Sequence, residues 1–313
     1  MENSNIIESK ETALAQITQL AQEFDVSLDE IGARFTQKNN QDKSDKWLSR
    51  LLGYLGGAFV FGGLALLISM LWDDLSSVAR VIITYGPGLV TFILSIIVLK
   101  DPRYDKASTP LFLMSAILLP TGMFVFLHEY AKGDDGQLAA MIVFGILACH
   151  FLGAFFPLKR TSLLFFGYLF WNGSIGILME RAGVSGEILG IILGVSIMMV
   201  AWSIDQTKHR AIAPFWYFLG SIGLLWSIFD LIEGISPIDI LYLPLTIFLM
   251  LVSTRIHSRT LLFISTLALL GFLGYYTGEY FADTTGWPIA LIIMGFMLIS
   301  VSAYAVQLGK KIK

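Results

Sequence analysis

The chain has 313 residues, of which 55% are hydrophobic and 14% charged, and its formal net charge is -3. Ordinary soluble domains carry roughly 25% charged residues, so the composition excludes a soluble globular core, and the acidic balance argues against a nucleic-acid partner. The single cysteine, Cys149, excludes an intramolecular disulfide and a cysteine-based metal site.

Residues 1–46 are polar and lack the short apolar core of a signal peptide, which predicts a cytoplasmic N-terminus. Apolar residues at helical spacing, and a capping box at 27–30, predict two short amphipathic helices near 5–24 and 28–36. This lead has too few apolar residues to form its own core. We expect it to dock on the membrane domain, on another copy or on a cytoplasmic protein partner. The alternative, a helix-turn-helix DNA reader, fits the acidic balance poorly.

The first apolar segment, Leu51 to Trp72, has 22 residues and no charge. At 1.5 Å per residue it can cross a hydrocarbon core of about 30 Å as a helix. Nine further charge-poor segments follow. The ten predicted spans are 51–72, 81–99, 109–128, 138–158, 161–179, 188–204, 211–229, 240–254, 260–278 and 286–308. The eighth is the shortest and could begin near Ile235, with Asp239 at the membrane interface.

Basic residues in the connections alternate with the predicted spans. Eighteen Lys and Arg residues fall on the side of the N-terminus, and three, Arg80, Lys132 and Arg181, fall on the other. Because basic residues are retained in the cytoplasm, this asymmetry predicts that both termini are cytoplasmic. The opposite connections are acidic, which we interpret as solvated loops; a cation-gathering mouth is the alternative. The sequence therefore predicts an all-α polytopic integral membrane bundle of about ten transmembrane helices over residues 47–313, after a short soluble helical N-terminal segment.

Basic residues close the cytoplasmic turns at intervals near 50 residues, at Arg50, Lys106, Arg160, Arg210 and Arg259. Gly173-Ser174-Ile175-Gly176 also returns as Gly220-Ser221-Ile222-Gly223. Duplication of an ancestral hairpin explains both observations. Two spans of about 20 residues with two tight turns would produce the same period without duplication, so both explanations stay open.

The predicted spans contain few groups that could carry chemistry. No Asp, Glu, Lys or Arg lies deep in any of them, although ion-coupled pumps usually keep such residues there. His150 and Asn172 could bind a proton or ligand, but we expect hydrogen bonds to neighbouring helices. We expect His209 and His257 to touch lipid headgroups or solvent. No zinc, phosphate-loop or nucleophile-elbow motif occurs, so we expect no enzyme activity and no cofactor.

Prolines interrupt three predicted spans, at Pro87, Pro120 and Pro244. Broken helices at membrane depth can line a substrate cavity, but kinks more commonly shape helix packing. The glycines of the first span form a smooth strip suited to close helix contact.

The turn after the first span holds Trp72, Asp73, Asp74 and Arg80. We predict a structural clasp, in which either aspartate caps the next helix, near Leu75, and Arg80 reaches back to a carboxylate. Binding of a cation or substrate by the aspartates is the alternative, but further oxygen ligands are lacking.

Three features carry a family resemblance: the polar helical N-terminus, the glycine-rich run 52–58, and the exit Trp72-Asp73-Asp74-Leu75 followed by Ala79-Arg80. Over roughly its first half, the chain resembles the bacterial membrane proteins classified as domain of unknown function 2157. The resemblance implies a multi-pass protein of the bacterial cytoplasmic (inner) membrane whose activity is not established.

Three hypotheses of function follow, of which the third is a lipid-modifying enzyme. In the first, the protein is non-enzymatic and binds or moves a small molecule or lipid through its proline-containing helices. In the second, it is a membrane-anchored structural or sensory protein that recruits a partner through its N-terminal helices. A carrier should have a polar cavity reaching Pro87, Pro120 or Pro244, whereas an anchor should be packed solid there.

Overall fold

A computed structural model describes the chain from residue 65 to residue 281, apart from residues 102, 132, 236 and 237, together with isolated positions within 17–63 and 292–307. The chain divides into two compact units, Met1–Ser76 and Ser77–Lys313. The predicted N-terminal helices and the predicted domain boundary after residue 46 lie almost wholly outside the described residues, so both stay predictions.

In the first unit, the described positions between residues 52 and 70 are helical, as the first predicted span requires. A 3-10 turn, Trp72–Asp74, follows and is closed by the Leu75 N–H, which donates to the Trp72 carbonyl at 3.3 Å. The first helix of the second unit begins at Ser77. Neither Asp73 nor Asp74 therefore stands directly before that helix, and the predicted cap near Leu75 is wrong because the turn uses these residues.

Eight α-helices lie between Ser77 and Phe281 in the second unit. They are α1 (Ser77–Val98), α2 (Ser108–Tyr130), α3 (Gly136–Leu158), α4 (Thr161–Arg181), α5 (Gly186–Asp205), α6 (Ala213–Ile232), α7 (Tyr242–Arg255) and α8 (Arg259–Phe281). Each is long and apolar enough to cross a membrane, α7 only together with the 3-10 turn Ile238–Leu241 before it. That turn extends the eighth predicted span towards Ile235, as expected, and buries Asp239.

The eight helices correspond to the second to ninth predicted spans. The described positions of the tenth, between residues 292 and 307, are also helical, and the described residues contain no strand. The predicted all-α, multi-pass fold is confirmed.

Contacts between the connections sort charge to two ends of the described bundle. At one end, the Arg160 guanidinium pairs with Asp105, and His209 contacts Thr161, so three basic connections lie together. At the other end, Arg181 pairs with Asp135 across the acidic connections. We call these the basic end and the acidic end.

Helices that share a basic turn pack closely as hairpins, and glycine permits the close approach in the first three. A Cβ added at Gly88 would lie 2.9 Å from the backbone nitrogen of Leu119 in α2. One added at Gly194 would lie 2.7 Å from the backbone nitrogen of Leu224 in α6. The hairpin is therefore the packing unit of the bundle.

The two Gly-Ser-Ile-Gly segments occupy the second helix of consecutive hairpins. Gly173 in α4 faces the Phe144 ring of α3, and Gly220 in α6 faces the carbonyl of Gly194 in α5. Both repeats serve helix contact within a hairpin. Whether they descend from a duplicated hairpin stays a hypothesis.

The polar and apolar surfaces are those of a membrane bundle. Large apolar side chains such as Trp226, which is 70% exposed, point outward from the described helices. Several serines are buried instead, and Ser95 and Ser221 donate to carbonyls of their own helices at 2.6 Å. Small self-bonded hydroxyls allow helices to approach without leaving polar groups unsatisfied.

Candidate functional site

Arg80, the basic member of the predicted clasp, belongs to the second unit and pairs with Glu129 at the end of α2. Its Nη1 donates to Oε1 at 2.8 Å, and the Glu129 side chain is only 8% exposed. The hydroxyl of Ser77 faces the same carboxylate. This pair closes the acidic end of the α1–α2 hairpin. A contact of Arg80 with Asp73 or Asp74 stays a prediction.

Asp135 joins the two helices of the second hairpin, α3 and α4, at the acidic end in the same way. It caps α3 by accepting from the Leu138 N–H at 2.9 Å, and it also accepts from Arg181 Nη1 at 2.6 Å. The Leu138 hydrogen bond, and then Arg181, hold the pKa of Asp135 below its usual value. Its contribution to stability is therefore present above the carboxyl's unfolded pKa and is lost as the pH falls through the lowered value.

Pro87 and Pro120 lie within α1 and α2, which remain helical through them. Gly88 and Gly122, near these prolines, lie against the backbone of the facing helix. A Cβ on Gly122 would lie 2.3 Å from the Cα of Tyr85. Backbone meets backbone here, so the two helices are packed together beside both prolines.

Pro244 has a different position from the one predicted. It is the third residue of α7, in the first turn of the helix. The first backbone N–H groups of a helix have no intrahelical acceptor, so a proline there removes no hydrogen bond. Pro244 therefore does not break α7, and the span changes from a 3-10 turn to an α-helix just before it.

His150 packs on aromatic rings. Its ring centroid lies 4.2 Å from that of Phe92 in α1 and 5.4 Å from that of Phe151. Its Nε2 is buried and has no hydrogen-bond partner among the described residues. The predicted bond to a neighbouring helix is therefore not made by Nε2, and a bond through Nδ1 stays a prediction.

Asn172 bonds within its own helix. Its Nδ2 donates to the Tyr168 carbonyl at 2.8 Å. A carbonyl one turn earlier offers an acceptor already in place, and a bond from the rest of the amide to a neighbouring helix stays a prediction.

Among the cavities lined by described residues are two of about 500 Å³, and none of the nine predicted site residues lines either. The first cavity, of about 470 Å³, lies at the basic end between α2, α4 and the α5–α6 connection. We call it the basic cavity. It is lined by Thr109, Leu113, Lys159, Arg160, Thr161, Ser162, Phe165, Phe166, Lys208, His209 and Ile212.

Lys159 and Arg160 alone connect α3 to α4. Lys159 ends α3 in the left-handed conformation, with φ at 49°, and its N–H donates to the Phe155 carbonyl at 2.7 Å. Glycine usually takes this position, because a side chain is strained there. Strained backbone is concentrated at functional sites, and here it puts a lysine on the cavity wall.

Arg160 is held by Asp105, the residue that opens the turn before α2. Both of its terminal nitrogens donate to the carboxylate, Nη1 to Oδ2 at 3.1 Å and Nη2 to Oδ1. A two-point contact of this kind fixes the orientation of the guanidinium. The charge of Arg160 is therefore compensated.

His209 is a buried wall of the basic cavity, only 7% exposed. Its Nδ1 lies 2.9 Å from the Thr161 hydroxyl, and its ring meets Phe155 edge-on at 5.2 Å. Burial lowers the pKa of His209 below its ordinary value, and the charge of Lys208 lowers it further. Both effects favour the uncharged form of the ring. The predicted contact of His209 with solvent or headgroups is wrong, whereas His257 is exposed as expected.

The second cavity, of about 510 Å³, is apolar and lies between α6, α7 and α8. Trp226, Tyr242 and Phe272 are among the side chains that form its walls. We call it the apolar groove. Among the described residues, no group of three or more His, Cys, Asp or Glu side chains is arranged to hold a metal ion. Of the two cavities, only the basic one combines charge with an apolar lining.

Apolar helices, outward-facing aromatic side chains and charge sorted to two ends define a polytopic membrane protein. Residues 25–158 match the family model described as "Predicted membrane protein (DUF2157)". The family resemblance of the first half of the chain is confirmed by this match. No curated protein and no solved structure matches the chain.

The basic cavity is the feature that the sequence predictions missed. Lys159 and Lys208 served only as topology signals, because each stands in its own short turn. Thr161 and His209 are 48 residues apart and in contact, close to the hairpin period of about 50. The period itself could have predicted that residues from consecutive basic turns meet.

Proposed function

We propose that this protein is a non-enzymatic membrane protein that binds a small molecule or lipid in the basic cavity. The single observation that supports the proposal is the composition of that cavity, where Lys159 and Lys208 lie above an apolar wall containing Phe165 and Phe166. Ligand sites in proteins are mostly apolar cavities of about 300 to 1,000 Å³ with a few placed polar groups.

Binding is favoured over transport through the proline-containing helices. Gly88 and Gly122 bring α1 and α2 into backbone contact beside Pro87 and Pro120. A path for a substrate would have to separate these helices. The same packing favours the second hypothesis, a membrane-anchored structural or sensory protein acting through residues 1–46.

The proposed binding is tested by purifying the protein in native lipid and analysing what is retained by mass spectrometry. Ser162 lines the basic cavity, so the indole of Ser162→Trp should occupy part of it and lower ligand occupancy about tenfold or more, which corresponds to about 1.4 kcal/mol. Ser203 is an exposed serine at the same end of the bundle, so Ser203→Trp is the matched control. Equal occupancy in the two variants would contradict the proposal, and a recurrent protein in place of a ligand would support the anchor.

We also propose that the basic end faces the cytoplasm of a bacterial inner membrane, with both termini on that side. Single cysteines are introduced into a Cys149→Ser background and treated with an impermeant thiol reagent in intact cells. Labelling is expected at two of the positions and only after lysis at the other three. The accessible positions are those of Lys132 and Glu279; the protected ones are those of Lys106, Arg210 and Lys313. Labelling of position 106 or 210 before lysis would overturn the orientation.

A further inference from the structure

We infer that the basic cavity binds an anionic phospholipid, whose phosphate lies between Lys159 and Lys208 at the start of α4. The inference rests on the proposed function and specifies its ligand. Two cations come from consecutive basic turns, 159–160 and 206–212, and face one cavity of about 470 Å³.

The net charge of the cavity wall is positive. The described residues that line it include no aspartate or glutamate. Arg160 is paired with Asp105, which lies outside the lining, and burial favours the uncharged form of His209. Lys159 and Lys208 are both exposed, and neither takes part in the ion pairs found among the described residues. The cavity therefore presents about two positive charges to a bound group.

The start of α4 adds directed hydrogen-bond donors. Helix α4 has 21 residues, and its N-cap residue, Arg160, makes no side-chain cap. The backbone N–H groups of Thr161 and Ser162 lie in the first turn, where no intrahelical acceptor exists. Ser162 also lines the cavity, while the Thr161 hydroxyl is engaged by His209. A phosphate oxygen is the acceptor that a helix start and two ammonium groups favour together.

The apolar wall distinguishes a lipid from a free phosphate ester. Phe165, Phe166 and Leu113 line the cavity below the cations. Leu113 is 47% exposed and belongs to a membrane-crossing helix, so the wall continues onto the lipid-facing surface. An acyl chain can follow this wall, whereas a soluble phosphate compound would leave it uncovered. Basic pockets between transmembrane helices on the cytoplasmic side bind anionic headgroups in this manner.

The test is native mass spectrometry of the full chain in detergent with added phosphatidylglycerol or phosphatidylcholine of identical acyl chains. The two lipids share a phosphate and differ in net charge. We expect at least about a fivefold preference for phosphatidylglycerol in the first bound lipid, since each lysine near an anionic headgroup contributes about that factor. The double variant Lys159→Gln/Lys208→Gln should remove the preference.

Lys100→Gln/Lys106→Gln is the matched control, because it removes two lysines at the same end of the bundle outside the cavity lining and should keep the preference. The inference would be overturned if the Lys159→Gln/Lys208→Gln variant still preferred phosphatidylglycerol. Equal binding of both lipids that Ser162→Trp abolishes would also overturn it, while leaving the proposed function intact.

Glycerol phosphate, added at the concentration of the lipid, separates the two sources of phosphate. It should not displace phosphatidylglycerol, because it cannot cover Phe165 and Phe166. Displacement at equal concentration would overturn the lipid ligand and assign the cavity to a soluble phosphate ester.

Discussion

Replacing Gly122 with alanine should destabilise the protein more than the same replacement of any glycine in α3 or α4. The added Cβ would lie 2.3 Å from the Cα of Tyr85 and 2.6 Å from its backbone nitrogen. Backbone atoms of a helix cannot rotate away as a side chain does, so α1 and α2 would have to separate. Overpacking of a core costs about 1 to 3 kcal/mol, and we expect Gly122→Ala at about the upper limit.

Gly153→Ala in α3 is the matched control, because nothing lies within 4 Å of its added Cβ. Thermal unfolding in detergent of the two variants and the parent protein measures the difference. Gly153→Ala should unfold at or slightly above the temperature of the parent, since alanine is favoured over glycine in a helix interior by up to about 1 kcal/mol and its Cβ meets no neighbour. Equal unfolding temperatures for the two variants would show that α1 and α2 are not in the close contact described.

Reversing Arg80 to glutamate should be the most destabilising charge change at the acidic end. The substitution places two carboxylates together where Glu129 is only 8% exposed. Removal of one partner leaves the other charge without compensation, and that cost increases with burial. The swapped variant Arg80→Glu/Glu129→Arg restores opposite charges and should recover most of the lost unfolding temperature.

Arg181→Glu provides the comparison at the same end. Its partner, Asp135, is 44% exposed, so water compensates more of the loss. We expect the decrease in unfolding temperature to be roughly half of that for Arg80→Glu. If Arg80→Glu unfolded like the parent, the pair with Glu129 would not stabilise the hairpin. If the swap failed to recover stability, position-specific contacts of Arg80 would be responsible instead of the pair.

Helix positions could be predicted from the sequence because they depend on the apolar character of each span alone. The predicted span 161–179 and helix Thr161–Arg181 share a first residue, since Lys159 and Arg160 mark the membrane boundary directly. Pairing between charged residues could not be predicted in the same way. Arg80 meets Glu129, 49 residues away, and local spacing favoured Asp73 and Asp74 instead.

The side-chain partners of buried polar groups could not be predicted from the sequence either. His150 was expected to bond a neighbouring helix, but it meets Phe92, and which residue it meets depends on the rotation of its own helix, α3, about its axis. Helices that are apolar on every side give no periodic signal for that rotation. The basic cavity was missed for a related reason, because its two lysines become neighbours only when the hairpins are packed.

The charge pairs at the acidic end bear on how this protein enters its membrane. In the proposed orientation, the acidic ends of a hairpin cross the bilayer during insertion, and its basic turn remains in the cytoplasm. Arg80 and Glu129 belong to the first hairpin, and Asp135 and Arg181 to the second. Each of these arginines therefore has its carboxylate partner on the same hairpin, and the two groups cross the bilayer together. A hairpin can thus cross with its arginine already neutralised, before any later hairpin has been synthesised.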